Sequence, residues 1–312
     1  MILGRISEGI RKKNYGRYWQ LYLFLLVPVI YFIIFCYVPM VGAQIAFRKY
    51  NFAEGIWGSP WVGLDNFIKF FNSYFFSRVI VNTLRISIYD ILAGFPIPII
   101  FALCLNTIEN LRFKKFIQTV TYMPHFISVV VIVGMLMQIF HPMNGIYGVI
   151  VKAITGEQAV DLFGKPDAFP HLYVWSSIWQ SFGWSSIIYV AALSSVPEEL
   201  YEAARIDGAN RFKMMLHIDL PALAPTITIL LILRVGSIMS LGFEKAWLMQ
   251  NDLNLRTSEL ISTFVYKQGL AAGGPTDFSY AAAIGFFNSI VNLLLLIFIN
   301  RAAKKISDTS LW

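Results

Sequence analysis

The sequence predicts an all-α integral membrane protein with six transmembrane helices, and three observations predict it: composition, the length of the apolar runs, and the placement of basic residues. Of 312 residues, 57% are hydrophobic and 14% charged, against about 45–50% and about 25% in an ordinary soluble domain. Six apolar runs, Trp19–Tyr37, Val79–Leu105, Thr119–Phe140, Leu172–Ser194, Ala222–Leu241 and Tyr280–Asn300, approach or exceed the ~20 helical residues needed to cross a hydrocarbon core of ~30 Å. Lys and Arg concentrate in the N-terminal arm, in two alternate connections (Arg112, Lys114, Lys115; Arg205, Arg211, Lys213) and in the tail (Arg301, Lys304, Lys305). By the positive-inside rule both termini and these connections are cytoplasmic. The chain divides into a cytoplasmic arm 1–18, a membrane domain 19–300 containing a cytoplasmic segment 195–221, and a cytoplasmic tail 301–312.

The first run follows Arg5, Arg11, Lys12, Lys13 and Arg17. It is too long for the apolar region of a secretory signal and no small-residue cleavage site follows, so it reads as a retained anchor. The second contains Pro96 and Pro98, which remove backbone donors and should kink it. It also carries Arg85, Tyr89 and Asp90, the third carries Gln138, and the fifth carries Arg234, Gly236 and Ser237 with Glu244 just beyond its outer end. Tyr280, Asn288 and Asn292 lie on the sixth. Trp57, Trp61, Trp175, Trp179 and Trp184 lie near interfaces or in outer loops, where amphipathic rings anchor to lipid headgroups. Cys36 and Cys104 fall inside apolar runs and read as small buried hydrophobes.

A charged side chain inside a membrane costs about 2.5–3.5 kcal/mol on insertion scales, so Arg85 and Arg234 are candidate functional residues. They fall at similar depth, and Asp90 or Glu244 is positioned to pair with either. Two readings stay open: an ion pair tying helices together, or an arginine whose planar fork takes the carboxylate of an acidic sugar. Tyr89, Gln138, Ser237, Tyr280 and Asn288 suit a sugar path, because amides and aromatic rings match a hydroxyl rim and an apolar sugar face. Most of them are expected to be helix–helix packing contacts, which Ser, Asn and Gly make routinely in membranes.

Between the fourth and fifth runs the chain turns amphipathic: SVPEELYEAARIDGANRFKMMLHIDLP, Ser195 to Pro221. Ser195 with Glu198 has the form of a capping box, and Pro197 is tolerated in a first turn. Val196, Leu200, Ala203 and Ala204 make one apolar stripe. Gly208 ends the helix as a left-handed residue, and a second short turn leads to Leu220-Pro221, where the fifth span begins. The small residues on this helix permit close approach of another surface.

Glu202-Ala203-Ala204, then Gly208, Ile218 and Leu220-Pro221 at their spacing, resemble the EAA loop of binding-protein-dependent ABC importer permeases. GFEKAWLMQN (Gly242–Asn251), SELISTFVYKQGL (Ser258–Leu270) and the ending NRAAKKISDTSLW look like the carbohydrate-uptake class, closest to its LplB-like subgroup for oligosaccharides and polysaccharide fragments. The resemblance implies the MetI-like permease fold with an extra N-terminal helix. It implies a coupling loop in which Glu202, Ala203, Ala204, Asp207, Gly208, Leu220 and Pro221 meet an ATPase. It further implies a heterodimer with a second related permease, two ATP-binding subunits holding ATP and Mg, an extracytoplasmic solute-binding protein, and a bacterial plasma or inner membrane.

This chain has no phosphate-binding loop. Its histidines (His125, His141, His171, His217) lack metal-ligand spacing, so neither an enzyme nor a metal site is predicted. The net charge of +7 does not gather into a groove-sized basic patch, which argues against nucleic acid. A secondary transporter would need coupling-ion ligands near the midplane and broken helices in both halves. A membrane scaffold with no pathway of its own is the third reading.

Overall fold

The computed structural model describes residues 19–271, 276–306 and 310–311; the arm 1–18, residues 272–275 and, in the tail, residues 307–309 and 312 lie outside them. Among the described residues the architecture is helical, with one isolated antiparallel bridge between Arg48 and Trp61. Four helices are long and apolar enough to cross a membrane: α1 (Trp19–Phe47), α3 (Phe75–Asn106), α9 (Arg211–Gly236) and α12 (Phe278–Ile306). Between them stand α2 (Asp65–Phe71), α4 (Leu111–Tyr122), α5 (Val129–Ile139), α6 (Ile146–Thr155), α7 (Phe169–Leu193), α8 (Glu198–Ile206), α10 (Phe243–Met249) and α11 (Ile261–Gly269).

Residues 19–40 of α1 have no buried member, and its C-terminal end is tied to the rest. There Ala46 is buried against Phe67 and Ala283, and the Phe47 ring stacks on Trp61 at 5.6 Å. A wide π turn at Ile33–Tyr37 precedes Pro39, where Val38 donates to the Ile33 carbonyl. Pro39 has no amide for the Phe35 carbonyl and its ring would crowd it, so the helix widens just before it.

α3 runs as one span of 32 residues. The Phe95 amide still donates to the Ile91 carbonyl at 3.1 Å, and φ −73° and ψ −40° there keep the helical course; the ladder loses only the donors at Pro96 and Pro98, so the prolines nick the helix without breaking it. Pro96 leaves the Leu92 carbonyl without its helical donor, while its fixed φ suits the helical course of the residues that follow.

The predicted third span is not one straight helix. α4, continued by a 3-10 turn to Phe126, meets α5 at 98°. Pro124 sits in that turn, Ile127 is extended, and Ser128 caps α5 by accepting from Val131 N at 3.3 Å. Asn110 caps α4 in the same manner, accepting from Arg112 N and Phe113 N. Two capped helices with a proline between them cannot fuse into one rod.

α7, 25 residues long, falls where the fourth run was predicted. It is less uniformly apolar than the four long spans; part of it is buried against neighbouring helices, while Trp175, Trp179, Trp184 and Ile188 stay exposed. Ile178 and Tyr173 pack with Ile86 and Val174, and Tyr189 and Leu193 with Ala102 and Leu223. A Cβ added at Gly183 would lie 2.2 Å from the Thr121 carbonyl oxygen, so glycine is what lets α7 approach the α4 backbone this closely. A third cluster, Phe70, Val79, Ile261, Phe264 and Ile284, joins α2, α3, α11 and α12.

The fifth span begins earlier than Leu220-Pro221. α9 starts at Arg211 and passes through a π turn, Met215–Asp219, into the membrane portion. Pro221 lies inside the helix; the missing amide for the His217 carbonyl is absorbed by the wide turn, in which Leu220 donates to Met215.

Candidate functional site

Two places combine polar chemistry with access. The first is the segment carrying α8. Pro197 (φ −60°, ψ 134°) takes the N-cap position with no side-chain cap, and the Ser195 hydroxyl donates to the Ala192 carbonyl at 2.7 Å. The predicted capping box therefore does not form: Glu198 is the first helical residue, not the third, and Ser195 precedes the cap. Glu198 and Glu199 in the first turn suit the positive end of the helix dipole.

The other end follows prediction. Gly208 has φ +76°, its amide donates to Arg205 at 3.1 Å, and Ala209 donates to Ala204 at 2.9 Å. This pair of bonds around a left-handed glycine is a Schellman motif. Asn210 then caps α9, accepting from Lys213 N at 2.8 Å.

No residue of α8 is buried. Glu202, Ala203, Asp207 and Gly208 are exposed, Ala204 is half-buried, and Ile206 is 87% exposed. Leu220 and Pro221 sit apart from them at the base of α9, where Leu220 lines an apolar cleft with Pro96, Ile99 and Leu103.

What holds α8 is a joint that sequence reasoning did not find. The Tyr201 hydroxyl donates to Asp219 Oδ1. Asn106, at the C-terminal end of α3, donates to Asp219 Oδ1 at 3.2 Å and to the Tyr201 oxygen at 3.3 Å. Asp219 is 3% exposed, and hydrogen bonds to a carboxylate acceptor are stronger than neutral ones. Loss of hydration and then the bond to Asp219 push the Tyr201 hydroxyl up to about 12, so it is a donor at any physiological pH. Arg211 adds an exposed pair to Glu109 at 2.7 Å and a bond to the Thr107 carbonyl at 3.2 Å.

The second place is a cleft of about 380 Å³ between α3, α7 and α9, lined by Asp90, Ser181, Ser185, Tyr189, Arg234 and Ser237 among apolar neighbours. A smaller space of about 130 Å³ adjoins it and shares Asp90, Arg234 and Ser237, adding Ser87, Tyr173 and Ser177. Arg234 Nη2 donates to Asp90 Oδ2; the Arg234 side chain is 53% exposed and that of Asp90 10%. Behind the wall formed by Tyr173 and Ser177 lies Lys245 of α10, in the connection between the fifth and sixth spans. It is buried, its Nζ 2.8 Å from Ser177 Oγ and 5.5 Å from the centre of the Tyr173 ring. Burial lowers Lys245 to about 8, with the charge of Asp90 opposing, so the ammonium predominates at neutral pH.

Of the residues predicted for a sugar path, Arg234 and Ser237 line the cleft. Asp90 pairs with Arg234 and not with Arg85: five residues along a helix is about 140° around its axis, and Arg85 is exposed on another face of α3. Glu244 is exposed on α10 and Gln138 on α5. Tyr89 hydrogen-bonds Trp175 Nε1 (2.8 Å) and His171 Nδ1 (3.0 Å) away from the cleft. Tyr280 is buried under Lys69, whose Nζ is 4.5 Å from the ring centre. Asn288 buries an Oδ1 that has no hydrogen-bond partner among the described residues, while Asn292 receives the Met239 amide at 3.0 Å. The sequence signal for Lys245 was a lysine within an apolar stretch beyond a predicted span. For Asp219 it was an acidic residue at the threshold of one.

Residues 94–308 match the family model described as "Binding-protein-dependent transport system inner membrane component". The protein LplB of Bacillus subtilis (strain 168) is 42% identical over 292 residues, covering 94% of this chain and 91% of LplB. The polygalacturonan/rhamnogalacturonan transport system permease protein YteP of the same organism is 41% identical over 292 residues, covering 94% and 90%. A chain of a bacterial ABC transporter involved in the import of the acidic polysaccharide alginate superposes with TM-score 0.85 at 38% identity, covering 95% of this chain and 98% of that one. A chain of the alginate transporter in complex with an alginate pentasaccharide-bound periplasmic protein superposes at 0.86 with 37% identity, covering 96% and 99%. An all-helical multi-pass chain with an exposed loop helix thus belongs to the family of inner-membrane components of binding-protein-dependent ABC transport systems, a transport subunit and not an enzyme.

Proposed function

We propose that this chain is one of two related permeases in an ATP-driven importer of oligosaccharides or polysaccharide fragments, uronate-containing ones among them. The observation that carries the coupling part is α8: no buried residue on the helix itself, and a buried polar joint at its root. A helix held by one inward tyrosine, with its remaining residues exposed or half-buried, suits a docking element. Glu202, Ala203, Ala204, Asp207 and Gly208 form the face offered to an ATP-binding subunit, with Leu220 and Pro221 at the base of the span that α8 moves. ATP and Mg belong to those partner subunits. An extracytoplasmic solute-binding protein delivers substrate to the outer loops, and the basic flanks put both termini in the cytoplasm.

The acidic-substrate part draws on the polygalacturonan and alginate systems among the relatives and on Arg234, half-exposed in the cleft. Arg85, Tyr89, Gln138, Glu244, Tyr280 and Asn288 lie outside that cleft and are assigned no contact with substrate. A self-sufficient secondary transporter is not favoured, and uptake that survives loss of the ATPase would restore it. The test is ATPase activity of the assembled complex in lipid, with the solute-binding protein empty or loaded with neutral or acidic oligosaccharides. Stimulation only by the loaded protein is expected, strongest with uronate-containing sugar; equal activity with empty and loaded protein would overturn the reading.

A further inference from the structure

The charges around the central cleft do not cancel. Asp90 is the carboxylate that Arg234 holds. Lys245, buried behind the same wall, has a neutral hydroxyl and an aromatic face as its near neighbours and forms no ion pair among the described residues. Its neighbour Glu244 is exposed and forms none either. One carboxylate therefore serves two cations, and the cluster carries one unbalanced positive charge. A buried ammonium with no carboxylate of its own is unfavourable, and an arriving anion relieves it.

The geometry says where the anion goes. Arg234 has five N–H donors in a planar fork, and the ion pair with Asp90 is made through Nη2. Half of its side chain faces the cleft. Ser181, Ser185 and Ser237 line that cleft beside it, offering hydroxyls to a hydroxylated ring. On the other side, Ser177 and Tyr173 line the smaller space with Asp90 and also touch Lys245, so the polar space next to Asp90 leads toward the ammonium.

We propose that Asp90, Arg234 and Lys245 form a carboxylate-exchange site, in which a uronate carboxylate takes the Arg234 guanidinium and Asp90 turns to Lys245. Asp90 is then a resident counter-ion standing in for the substrate, and Lys245 a positioning residue that sets acid specificity without touching the sugar. The exchange conserves the number of ion pairs on Arg234 and adds one on Lys245, so an acidic sugar is favoured over a neutral one of the same size.

The inference rests on the acidic-substrate reading above, and the test separates the two. Uptake of an oligogalacturonate and of its methyl-esterified counterpart of equal length is measured in proteoliposomes holding the complete complex, for the natural chain, Lys245→Gln, Lys245→Arg and Asp90→Asn. Lys245→Gln, which retains a donor for Ser177, is expected to raise KM for the acid relative to the ester about tenfold, the scale of one charge-assisted contact, and Lys245→Arg to restore it. Asp90→Asn is expected to lower both KM and kcat for the acid, because nothing displaces the carboxylate from Arg234. A natural chain that takes acid and ester equally overturns the acidic reading and the inference with it. A preference for acid that survives Lys245→Gln unaltered overturns the inference alone, and if Asp90→Asn does not assemble, the two Lys245 variants decide.

Discussion

Tyr201→Phe removes one oxygen atom from the joint beneath α8 and leaves the ring in place. Asp219, 3% exposed, then keeps Asn106 as its remaining side-chain donor, at 3.2 Å. A hydrogen bond to a charged group contributes about 1.5–3 kcal/mol. Taking about 2 kcal/mol, the closed joint becomes roughly 30-fold less favoured against the open one, at about 1.4 kcal/mol per factor of ten. If closure of the joint passes ATPase motion into α9, uptake per ATP hydrolysed should fall several-fold while receptor-stimulated hydrolysis stays within about twofold. The docking face itself is untouched, since Tyr201 turns inward and Glu202 and Ala203 outward.

The assay is parallel measurement of substrate uptake and phosphate release in proteoliposomes. Asp219→Asn and the double variant complete a cycle that isolates the pair. A coupling energy of about 1 kcal/mol or more between positions 201 and 219, seen in the uptake-to-hydrolysis ratio, supports the joint. A ratio in Tyr201→Phe equal to that of the natural chain would refute it, and parallel loss of uptake and hydrolysis would show that α8 had merely detached.

Three further outcomes follow from the same geometry. Arg211→Ala should alter coupling little and stability by less than about 1 kcal/mol, because both partners of the Arg211–Glu109 pair are solvent-exposed; uptake assays check that the buried joint and not this pair holds α8. Gly208→Val should cost about 1–2 kcal/mol locally through the left-handed backbone alone, since an added Cβ meets nothing within 4 Å. Gly208→Asn should be better tolerated, and uptake should separate the two while membrane insertion does not. Gly183→Ala should lower thermal stability of the purified complex by about 1–3 kcal/mol, because its Cβ would be 2.2 Å from the Thr121 carbonyl oxygen and α7 must move off α4.

The six apolar runs and the loop helix were legible in the sequence because each is written in local chemistry: hydropathy over a long window, basic flanks, a glycine past a helix end. The bend between α4 and α5 was missed because a hydropathy window averages over Pro124 and Ser128, although those two residues in MPHFIS are the punctuation that makes it. The early start of α9 was missed for the opposite reason, since Pro221 was read as a boundary when a π turn lets the helix carry it. The ion pair was half legible. Two arginines and one aspartate were visible, but the choice of Arg234 is a matter of which face of α3 looks at α9. Lys245 and Tyr201 acquire their roles only through burial against residues far along the chain, Ser177 and Asp219, and no local pattern announces such contacts.

The two sites are joined by the same pair of rods. On α9, Asp219 at the base and Arg234 above it are fifteen residues apart, about 22 Å at ~1.5 Å per residue. On α3, Asn106 at the base and Asp90 above it are sixteen apart, about 24 Å. The helices run in opposite senses, and their cross-links, Asn106 to Asp219 below and Asp90 to Arg234 above, fall at nearly matching heights. Two rods pinned at both ends move as one body. A push on α8 reaches Asp219 through Tyr201, and the pinned pair carries it to the cleft as tilt, with no chain of side-chain rearrangements in between. Release of the upper pin would loosen α9 from α3 at the cleft while the lower pin still holds. A substrate carboxylate that draws Arg234 away from Asp90 would do so, which makes occupancy of the cleft and response to the ATPase two readings of a single contact.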